Sequence, residues 1–295
     1  TCGLGSGGGA SCWGHNDEGQ LGDGTFTTRD RPVAVSGGIV FTAVSAGHAH
    51  SCGLTADGSA YCWGDDSRGQ LGDGAGGATR STRPVRVLGE RAFARVVAGY
   101  YASCALGTDG AAWCWGRNDE GQLGDGTTEQ RDEPVRVSGS VPFTALDVGD
   151  RFACALRSGQ AWCWGENRHD VLGTGAAGMS AVPVRVDGTT SLTTITTSIG
   201  PSTIGGAEAY ACGTRTDGSA LCWGGATRGL RARSATPVHV GEGIRFTALA
   251  AGTLHACGLN RDGYAFCGGG NGSGQLGDGT RTDRATMVGV AGSAR

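Results

Sequence analysis

The segment His50-Ser51-Cys52-Gly53-Leu54-Thr55-Ala56-Asp57-Gly58-Ser59-Ala60-Tyr61-Cys62-Trp63-Gly64 decides the fold, because related segments recur along the chain. Its closing Cys-Trp-Gly is found at 12–14, 62–64, 114–116, 163–165 and 222–224, and a sixth copy at 267–269 reads Cys-Gly-Gly. Successive copies lie 50, 52, 49, 59 and 45 residues apart. A self-similar period near 50 residues is typical of a structural unit that packs against copies of itself.

Two further motifs recur in the same order within this period. Gly-Gln-Leu-Gly-Asp-Gly occurs at 19–24, 69–74, 121–126 and 274–279, and Pro-Val-x-Val occurs at 32–35, 84–87, 134–137, 183–186 and 237–240. The repeats leave no stretch for a linker or a second kind of domain. We therefore expect one domain of six units, approximately 1–40, 41–92, 93–142, 143–190, 191–244 and 245–295.

Each unit is predicted to contain four short strands, as the second unit illustrates. Its strands are expected at 41–46, 50–55, 59–63 and 84–87, with a Gly-rich loop before the last of them. A Pro at the start of the fourth strand suits an outer edge, where its missing N–H removes no ladder hydrogen bond. Four-stranded antiparallel units at this period predict an all-β fold, a β-propeller with one blade per unit.

The first blade is expected to be incomplete, because the chain opens at Cys2 and ends after the fourth strand of the sixth unit, near Val290. Three explanations stay open. The first is that residues upstream of Thr1 were removed, the second is that the first blade has only three strands, and the third is that another chain donates the missing strand. Strand donation would assemble chains head to tail.

Four motifs together resemble the repeats of the regulator-of-chromosome-condensation propeller family. They are the two motifs above, Ala-Gly-His-Ala-His-Ser-Cys at 46–52 and Asp-Gly-Ser-Ala-Tyr-Cys-Trp-Gly at 57–64. The resemblance covers essentially the whole chain and, with the paired cysteines, indicates a bacterial, disulfide-containing, extracellular type. Family propellers commonly have seven blades, so six and seven stay as alternatives. Their functions range from nucleotide exchange on a nuclear GTPase to inhibition of a secreted hydrolase, so the resemblance implies little about function.

The 12 cysteines fall into six pairs, each spanning one predicted hairpin. In the second unit, a three-residue turn at 56–58 places Cys52 opposite Cys62 on a non-hydrogen-bonded site, where strands approach most closely. The expected disulfides are Cys2–Cys12, Cys52–Cys62, Cys104–Cys114, Cys154–Cys163, Cys212–Cys222 and Cys257–Cys267. Free buried thiols are an alternative, whereas zinc would need more closely spaced ligand pairs.

Disulfides of this kind indicate an oxidising compartment, which is extracellular, cell-surface or periplasmic. No signal peptide opens the chain, so we expect a mature or trimmed form.

Composition excludes several classes of function. The net charge of −3 gives no reason to expect nucleic acid as a partner. No run of 18 apolar residues is present, which excludes a membrane-spanning helix. All 24 basic residues are Arg, and the absence of Lys excludes a P-loop. An Arg-only basic set also suggests a GC-rich bacterial genome.

No set of residues predicts catalysis, and we expect no enzyme, no cofactor and no metal. The six His form no visible triad with a Ser or Cys nucleophile. The Gln and Asp residues of the Gly-Gln-Leu-Gly-Asp-Gly loops are interpreted as satisfying loop backbone groups rather than binding calcium. The Trp residues after each second Cys are interpreted as packing between blades, with stacking on sugars as the alternative.

Residues that vary between repeats are the candidates for binding. They are His48, Tyr100, Tyr101, Asp150, Arg151, Arg228, Arg231 and Arg233. The first five lie in connectors between first and second strands, and Tyr and Arg are typical of binding hot spots. The last three lie where the fifth unit has lost Gly-Gln-Leu-Gly-Asp-Gly, and they either dock an acidic partner or belong to a degenerate loop. The alternative for the connector residues is that they are solvent-exposed positions that vary in sequence without a binding role. Asn271-Gly272-Ser273 also matches a glycosylation acceptor.

The sequence as a whole favours a secreted or surface-exposed, non-enzymatic propeller that binds an unidentified protein partner through variable loops. The alternatives are self-association, as a structural subunit of an extracellular assembly or fibre, and carbohydrate binding. Nucleotide exchange on a nuclear GTPase is disfavoured, because a nuclear protein would not keep six disulfides.

Overall fold

The computed structural model describes residues 1–76, 79–139, 142–198, 200, 208–225 and 233–292. These residues form 23 strands and contain no helix. The chain divides into two compact units, Thr1–Phe143 and Thr144–Arg295, and each holds three antiparallel sheets.

The first unit contains three consecutive sheets. The first sheet consists of β1 (Cys2–Leu4), β2 (Ala10–Gly14) and β3 (Arg29–Ala34). The second consists of β4 (Phe41–Ala46), β5 (His50–Thr55), β6 (Ala60–Asp65) and β7 (Arg80–Arg86). The third consists of β8 (Phe93–Ala98), β9 (Ala102–Gly107), β10 (Ala112–Gly116) and β11 (Arg131–Arg136).

The second unit repeats this arrangement with three four-stranded sheets. The fourth sheet of the chain consists of β12 (Ala145–Val148), β13 (Phe152–Arg157), β14 (Gln160–Gly165) and β15 (Ser180–Arg185). The fifth consists of β16 (Thr196–Thr197), β17 (Tyr210–Thr214), β18 (Ala220–Gly224) and β19 (Ser234–Val240). The sixth consists of β20 (Phe246–Ala251), β21 (His255–Asn260), β22 (Ala265–Gly269) and β23 (Arg284–Gly289).

The predicted fold class is confirmed by these sheets. Every strand pairs with the next along the chain, so each sheet is an antiparallel meander of the kind that forms a propeller blade. Within the described residues there are six blades, five of them four-stranded and the first three-stranded. The assignment of the whole chain to one domain stays a prediction.

The fourth strand of each blade differs from its prediction. In the second blade it begins at Arg80 instead of Pro84, so the Pro lies inside β7. The pairing register there runs from Cys62 opposite Val85 to Gly64 opposite Ser81, which leaves two extra residues on β7. The same register shift recurs in all six blades. Pro is tolerated at this bulge because the ladder is interrupted where its N–H is missing.

The hydrophobic core lies between neighbouring blades of a unit. The Phe that opens one blade packs against the Trp of its own third strand and the Leu of the preceding blade's outer loop. Between the first two blades these residues are Phe41, Trp63 and Leu21, all buried, with the Phe41 and Trp63 ring centroids 5.7 Å apart. Aromatic pairs at this separation stabilise a core beyond the area they bury.

The outer loop of one blade packs against the Trp of the next blade and accepts its indole hydrogen bond. The indole N–H of Trp63 donates to the Gln20 carbonyl at 3.0 Å, and that of Trp115 donates to the Gln70 carbonyl at 2.9 Å. A Cβ at Gly72 would lie 2.7 Å from the Trp115 ring, and Gly72 has φ +68°. The second Gly of the loop motif therefore supplies both a left-handed turn and space for the indole. These Trp residues pack between blades, as predicted.

Candidate functional site

All six predicted cysteine pairs are joined in the structure. In every pair the two cysteines lie directly opposite each other in the register of the second and third strands. The Cα atoms are 4.0–4.1 Å apart, and no free cysteine is found among the described residues. Two turn lengths, with sequence separations of nine and ten residues, produce the same register.

Ten of the 12 cysteines are buried, and Cys2 and Cys257 are partly exposed. Cys52 and Cys62 are fully buried in the cluster that joins the second and third blades. The Cys52 sulfur lies 3.8 Å from the Ser103 hydroxyl of the neighbouring blade. A bridge in this environment is shielded from reductants, because thiol–disulfide exchange requires access of a thiolate to sulfur.

Three of the predicted binding residues come together in the first unit. His48 stacks on Tyr100 with ring centroids 3.9 Å apart and planes at 10°. Tyr101 stands edge-on to both rings, 4.6 Å from Tyr100 and 6.2 Å from His48. We refer to His48, Tyr100 and Tyr101 as the aromatic connector cluster.

Backbone contact between two connectors produces this cluster. The His48 N–H donates to the Gly99 carbonyl at 3.1 Å. A Cβ at Gly47 would lie 2.3 Å from the same carbonyl oxygen, so this approach requires Gly. The residues that follow Gly47 and Gly99 are thereby placed side by side although they are 52 positions apart in sequence.

On the side of Tyr101, the cluster is bordered by the ion pair of Arg117 and Asp119. The Arg117 guanidinium lies 5.9 Å from the Tyr101 ring centroid and forms an ion pair with Asp119 at 2.6 Å. Partial desolvation lowers the pKa of His48, and the nearby Asp65 opposes that shift. The His48 imidazole is therefore neutral at physiological pH, and the His48–Tyr100 stack is an uncharged aromatic surface with a cation at its border.

A buried histidine follows the connector of His48, and its carbonyl accepts the Gly47 N–H at 2.9 Å. His50 is fully buried and its Nε2 lies 2.8 Å from the Ser103 hydroxyl. That hydroxyl donates its proton to the Gln70 carbonyl at 2.8 Å, so the His50 Nε2–H is the donor toward Ser103. Burial lowers the pKa of His50 to about 4. An imidazole that donates to the serine cannot activate it as a nucleophile, so this pair is structural.

The same repeat position connects two blades in the second unit. Tyr210 occupies the position of His50, two residues before the first Cys of its pair. Its hydroxyl donates toward the carbonyls of Gly252 and His255 in the following blade, at 2.9 and 2.5 Å. Residues at this position orient connectors.

The remaining predicted binding residues lie in the second unit. Asp150 is buried and lies 3.7 Å from the Arg151 Nε as an ion pair. Arg233 donates to the Asp170 carboxylate at 2.8 Å and to the Arg168 carbonyl at 2.6 Å, which ties the fifth blade to the fourth. Arg228 and Arg231 lie outside the described residues, so the predicted arginine cluster is represented by Arg233.

The outer loops are organised by a residue that the sequence analysis missed. In five of the six repeats it is an Asn or Asp four positions after the second Cys, as Asn16, Asp66, Asn118, Asn167 and Asn271, whereas the fifth repeat has Ala226 there. In the first blade its Oδ1 accepts the Leu21 N–H at 2.9 Å, and its Nδ2 donates to the Thr25 and Thr27 carbonyls at 3.0 and 3.1 Å. Its fixed repeat position was the signal that could have revealed it.

This loop network bears on two sequence interpretations. Asn271 is fully buried and its Nδ2 donates to Asp278 at 3.0 Å, so it is not an accessible glycosylation acceptor. The loop carboxylates bind hydroxyls, backbone N–H groups and arginines, as Asp278 does with Thr280 and Arg284. Within the described part of the chain, no cluster of three His, Cys, Asp or Glu could hold a metal ion.

These features define a class of protein, a disulfide-linked β-propeller whose blades are joined by Trp–loop contacts. Models of the regulator of chromosome condensation (RCC1) repeat match residues 8–54, 57–106 and 109–156, and a second model of that repeat matches 41–70 and 93–122. Together they cover 8–156, just over half of the 295 residues. The chain belongs to the RCC1-repeat family.

Solved structures agree with this assignment. Human WBSCR16 is 21% identical and superposes with a TM-score of 0.80, over 96% of this chain and 76% of that one. Yeast RCC1 (Prp20), solved with Kap60, is 17% identical with a TM-score of 0.82, over 99% and 73%. The receptor kinase CR4 ectodomain of Physcomitrella patens is 21% identical with a TM-score of 0.59, over 92% and 60%. At these identities the likeness establishes the fold alone.

The described residues include no helix long and apolar enough to cross a membrane.

Proposed function

We propose that this propeller is a non-enzymatic, protein-binding protein of an oxidising compartment, and that the aromatic connector cluster is the centre of its binding surface. The observation that carries the proposal is the stacked pair of His48 and Tyr100 with Tyr101 edge-on beside it. Rings that are fixed before binding lose little side-chain entropy in a complex. Tyr with Arg at its border is also the composition of interface hot spots.

The cluster is better suited to a protein surface than to a substrate. It is built on two connectors that touch at Gly47 and Gly99. The neighbouring His50–Ser103 pair is buried and its protons are committed to structural hydrogen bonds. Yeast RCC1, which shares the fold, was solved bound to the protein Kap60. Binding of a protein is therefore the activity that this surface supports best.

The compartment follows from the bridges. Six disulfides in one chain form in an oxidising environment and are rare in the cytosol and nucleus. The fold also occurs in the ectodomain of the CR4 receptor kinase. A secreted, surface or periplasmic location is the proposal that accounts for both, and it argues against exchange activity on a nuclear GTPase.

The proposal is tested by comparing the partners captured by three proteins from the native extracellular milieu. We expect the wild type and Tyr264→Ala to capture the same partner, and the Tyr100→Ala/Tyr101→Ala variant to lose it. Tyr264 is an exposed tyrosine of the second unit and serves as the matched control. Capture that is unchanged in the double variant would exclude the cluster as the binding surface.

Carbohydrate binding is the second candidate, and the stacked rings of the aromatic connector cluster favour it. The indoles of Trp63, Trp115, Trp164 and Trp223 are buried and cannot stack on a sugar, whereas the connector cluster is at least partly exposed. A glycan array separates the two candidates, because saturable binding to a defined glycan that is lost in the double Tyr variant would favour the sugar. Light scattering at high protein concentration addresses self-association, since a stable monomer excludes a fibre subunit.

A further inference from the structure

A pocket of about 440 Å³ lies between the fifth and sixth blades, at the end where their hairpins turn. Its polar lining consists of three arginines, three threonines and one aspartate, namely Arg215, Arg245, Arg261, Thr193, Thr216, Thr247 and Asp217. The buried Phe246 forms part of its floor. All of these residues belong to the second unit, and none is among the candidate binding residues found from the sequence.

The pocket is positively charged although the chain is not. Asp217 is the one acidic residue in the lining, and it forms an ion pair with Arg245 at 3.6 Å in which both side chains are exposed. Hydrogen bonds from Ser219, and then the charges of Arg245 and Arg215, lower the pKa of Asp217, so it is ionised at neutral pH. Three guanidinium groups against one carboxylate leave a net charge of +2, in a chain whose net charge is −3.

One of the guanidinium nitrogens lacks an acceptor. The Arg215 Nε is buried and has no hydrogen-bond partner among the described residues. A buried donor without an acceptor is costly, and the cost falls when a bound group supplies the missing oxygen. Arg215 also lines the pocket, so an anion bound there would lie beside its guanidinium group.

The backbone holds two of the arginines in fixed positions. The Phe246 N–H donates to the Gly218 carbonyl at 2.8 Å, which anchors the residue preceding Phe246, Arg245. A Cβ at Gly218 would lie 3.0 Å from the Arg245 Cβ, so the hairpin turn packs directly against it. Arg215 closes the same turn, because its carbonyl accepts the Gly218 N–H at 2.9 Å.

The repeats provide a comparison that separates packing from binding. The equivalent groove between the second and third blades has the same backbone contact, in which the Phe93 N–H donates to the Gly58 carbonyl at 2.9 Å. At the positions of Arg215, Arg245 and Arg261 it carries Thr55, Ala92 and Thr108. Two blades therefore pack in this way without any arginine, so blade packing does not require the three charges.

We propose that this pocket binds a tetrahedral oxyanion, a phosphate or sulfate monoester group carried by a ligand of this protein. Guanidinium groups bind such oxyanions through paired N–H donors, and threonine hydroxyls add neutral donors. A monoester group bound between Arg245 and Arg261 would also provide acceptor oxygens close to Arg215. The site is separate from the aromatic connector cluster, which belongs to the other unit, so either one can fail without the other.

The direct test titrates inorganic phosphate and inorganic sulfate into the intact protein by calorimetry at low ionic strength, with chloride as the reference anion. We expect one saturable site for phosphate or sulfate that weakens as salt is added. Arg245→Ala and Arg261→Ala should each weaken binding about tenfold, the effect of losing one charge-assisted contact. Arg281→Ala removes the same charge from an exposed position of the same unit and should change affinity less than about twofold.

A transplant tests whether the arginines are sufficient. The Thr55→Arg/Ala92→Arg/Thr108→Arg variant should bind two oxyanions instead of one. Titration with methyl phosphate and methyl sulfate then distinguishes a phosphorylated from a sulfated ligand, because the ester that binds more tightly indicates the class of ligand. Equal weakening by Arg281→Ala and Arg245→Ala, or binding no tighter than that of chloride, would overturn the proposal.

Discussion

At the scale of single residues, one buried Asn or Asp side chain organises the outer loop in five of the six blades. Asn118 accepts the Leu123 N–H at 2.9 Å and donates to the Thr127 and Glu129 carbonyls at 3.1 and 3.0 Å. An amide suits this position because it offers an acceptor and two donors. The second blade has Asp66 there instead, and burial raises the pKa of that carboxyl.

Asp66→Asn should therefore stabilise the protein at neutral pH. A buried carboxylate whose folded-state pKa is raised contributes stability below its unfolded pKa, and that contribution is lost as the pH rises through the folded pKa. Replacing it by the neutral amide should raise the free energy of unfolding by about 1 kcal/mol at pH 7 and change it little at pH 3. Urea unfolding at the two pH values measures the difference.

The reverse substitution in the next blade is the control. Asn118→Asp places a carboxylate where the amide now donates to two carbonyls, so it should destabilise at pH 7 and recover part of the loss in acid. Stability changes of the same sign for both substitutions at pH 7 would contradict this account of the position.

At the scale of elements, the disulfide hairpin is the unit that each blade repeats. The Cys2–Cys12 and Cys52–Cys62 bridges close loops of the same sequence separation, 10 residues, so chain entropy predicts the same stabilisation for both. Their surroundings differ, since Cys2 is partly exposed and Cys52 is fully buried between two blades.

Removing the buried bridge should therefore lower the free energy of unfolding by more than removing the partly exposed one. Cys2→Ala/Cys12→Ala should lower the free energy of unfolding by about 2–3 kcal/mol. Cys52→Ala/Cys62→Ala should lower it by about 1 kcal/mol more, because it also leaves a cavity in the core. Chemical denaturation of the two variants measures both losses, and equal losses would mean that loop closure alone accounts for the bridges.

The contact between an outer loop and the next blade's Trp is the second recurring element. The need for Gly in this contact can also be tested by measuring stability. Gly72→Ala introduces a Cβ 2.7 Å from the Trp115 ring at φ +68°, and should destabilise by about 3 kcal/mol through strain and overpacking. Gly279 has a similar φ of +79° with nothing within 4 Å of an added Cβ. Gly279→Ala should cost about 1 kcal/mol from the backbone alone. Denaturation followed by Trp fluorescence reports both variants, and equal costs would exclude the steric explanation.

At the scale of the whole molecule, the proposed oxidising compartment depends on all 12 cysteines being joined in disulfides. Protein isolated from its native source without reductant should contain no titratable thiol. Mass mapping of non-reduced peptides should find six links, each between the two cysteines of one hairpin. Predominantly free thiols in native protein would remove the argument for a secreted or surface location.

The features predicted correctly from the sequence are those with a local cause. Cys154 and Cys163 pair because a short turn between them sets the register, whatever the rest of the chain does. The blade period follows from motifs that recur every 45–59 residues. The start of the fourth strand was predicted wrongly, because a bulge opposite Trp63 carries Pro84 inside the strand, and a bulge depends on the partner strand.

The sequence by itself indicated the all-β blades, their repeat period and the cysteine pairs, because strand alternation and hairpin turns act over about ten residues. Only the tertiary structure decided which variable residues meet. His48 reaches Tyr100 because the connectors touch at Gly47 and Gly99, and three arginines surround one pocket because two blades pack at Gly218. Contacts between blades join residues that are distant in the chain, and their geometry is set by packing, which no local pattern encodes.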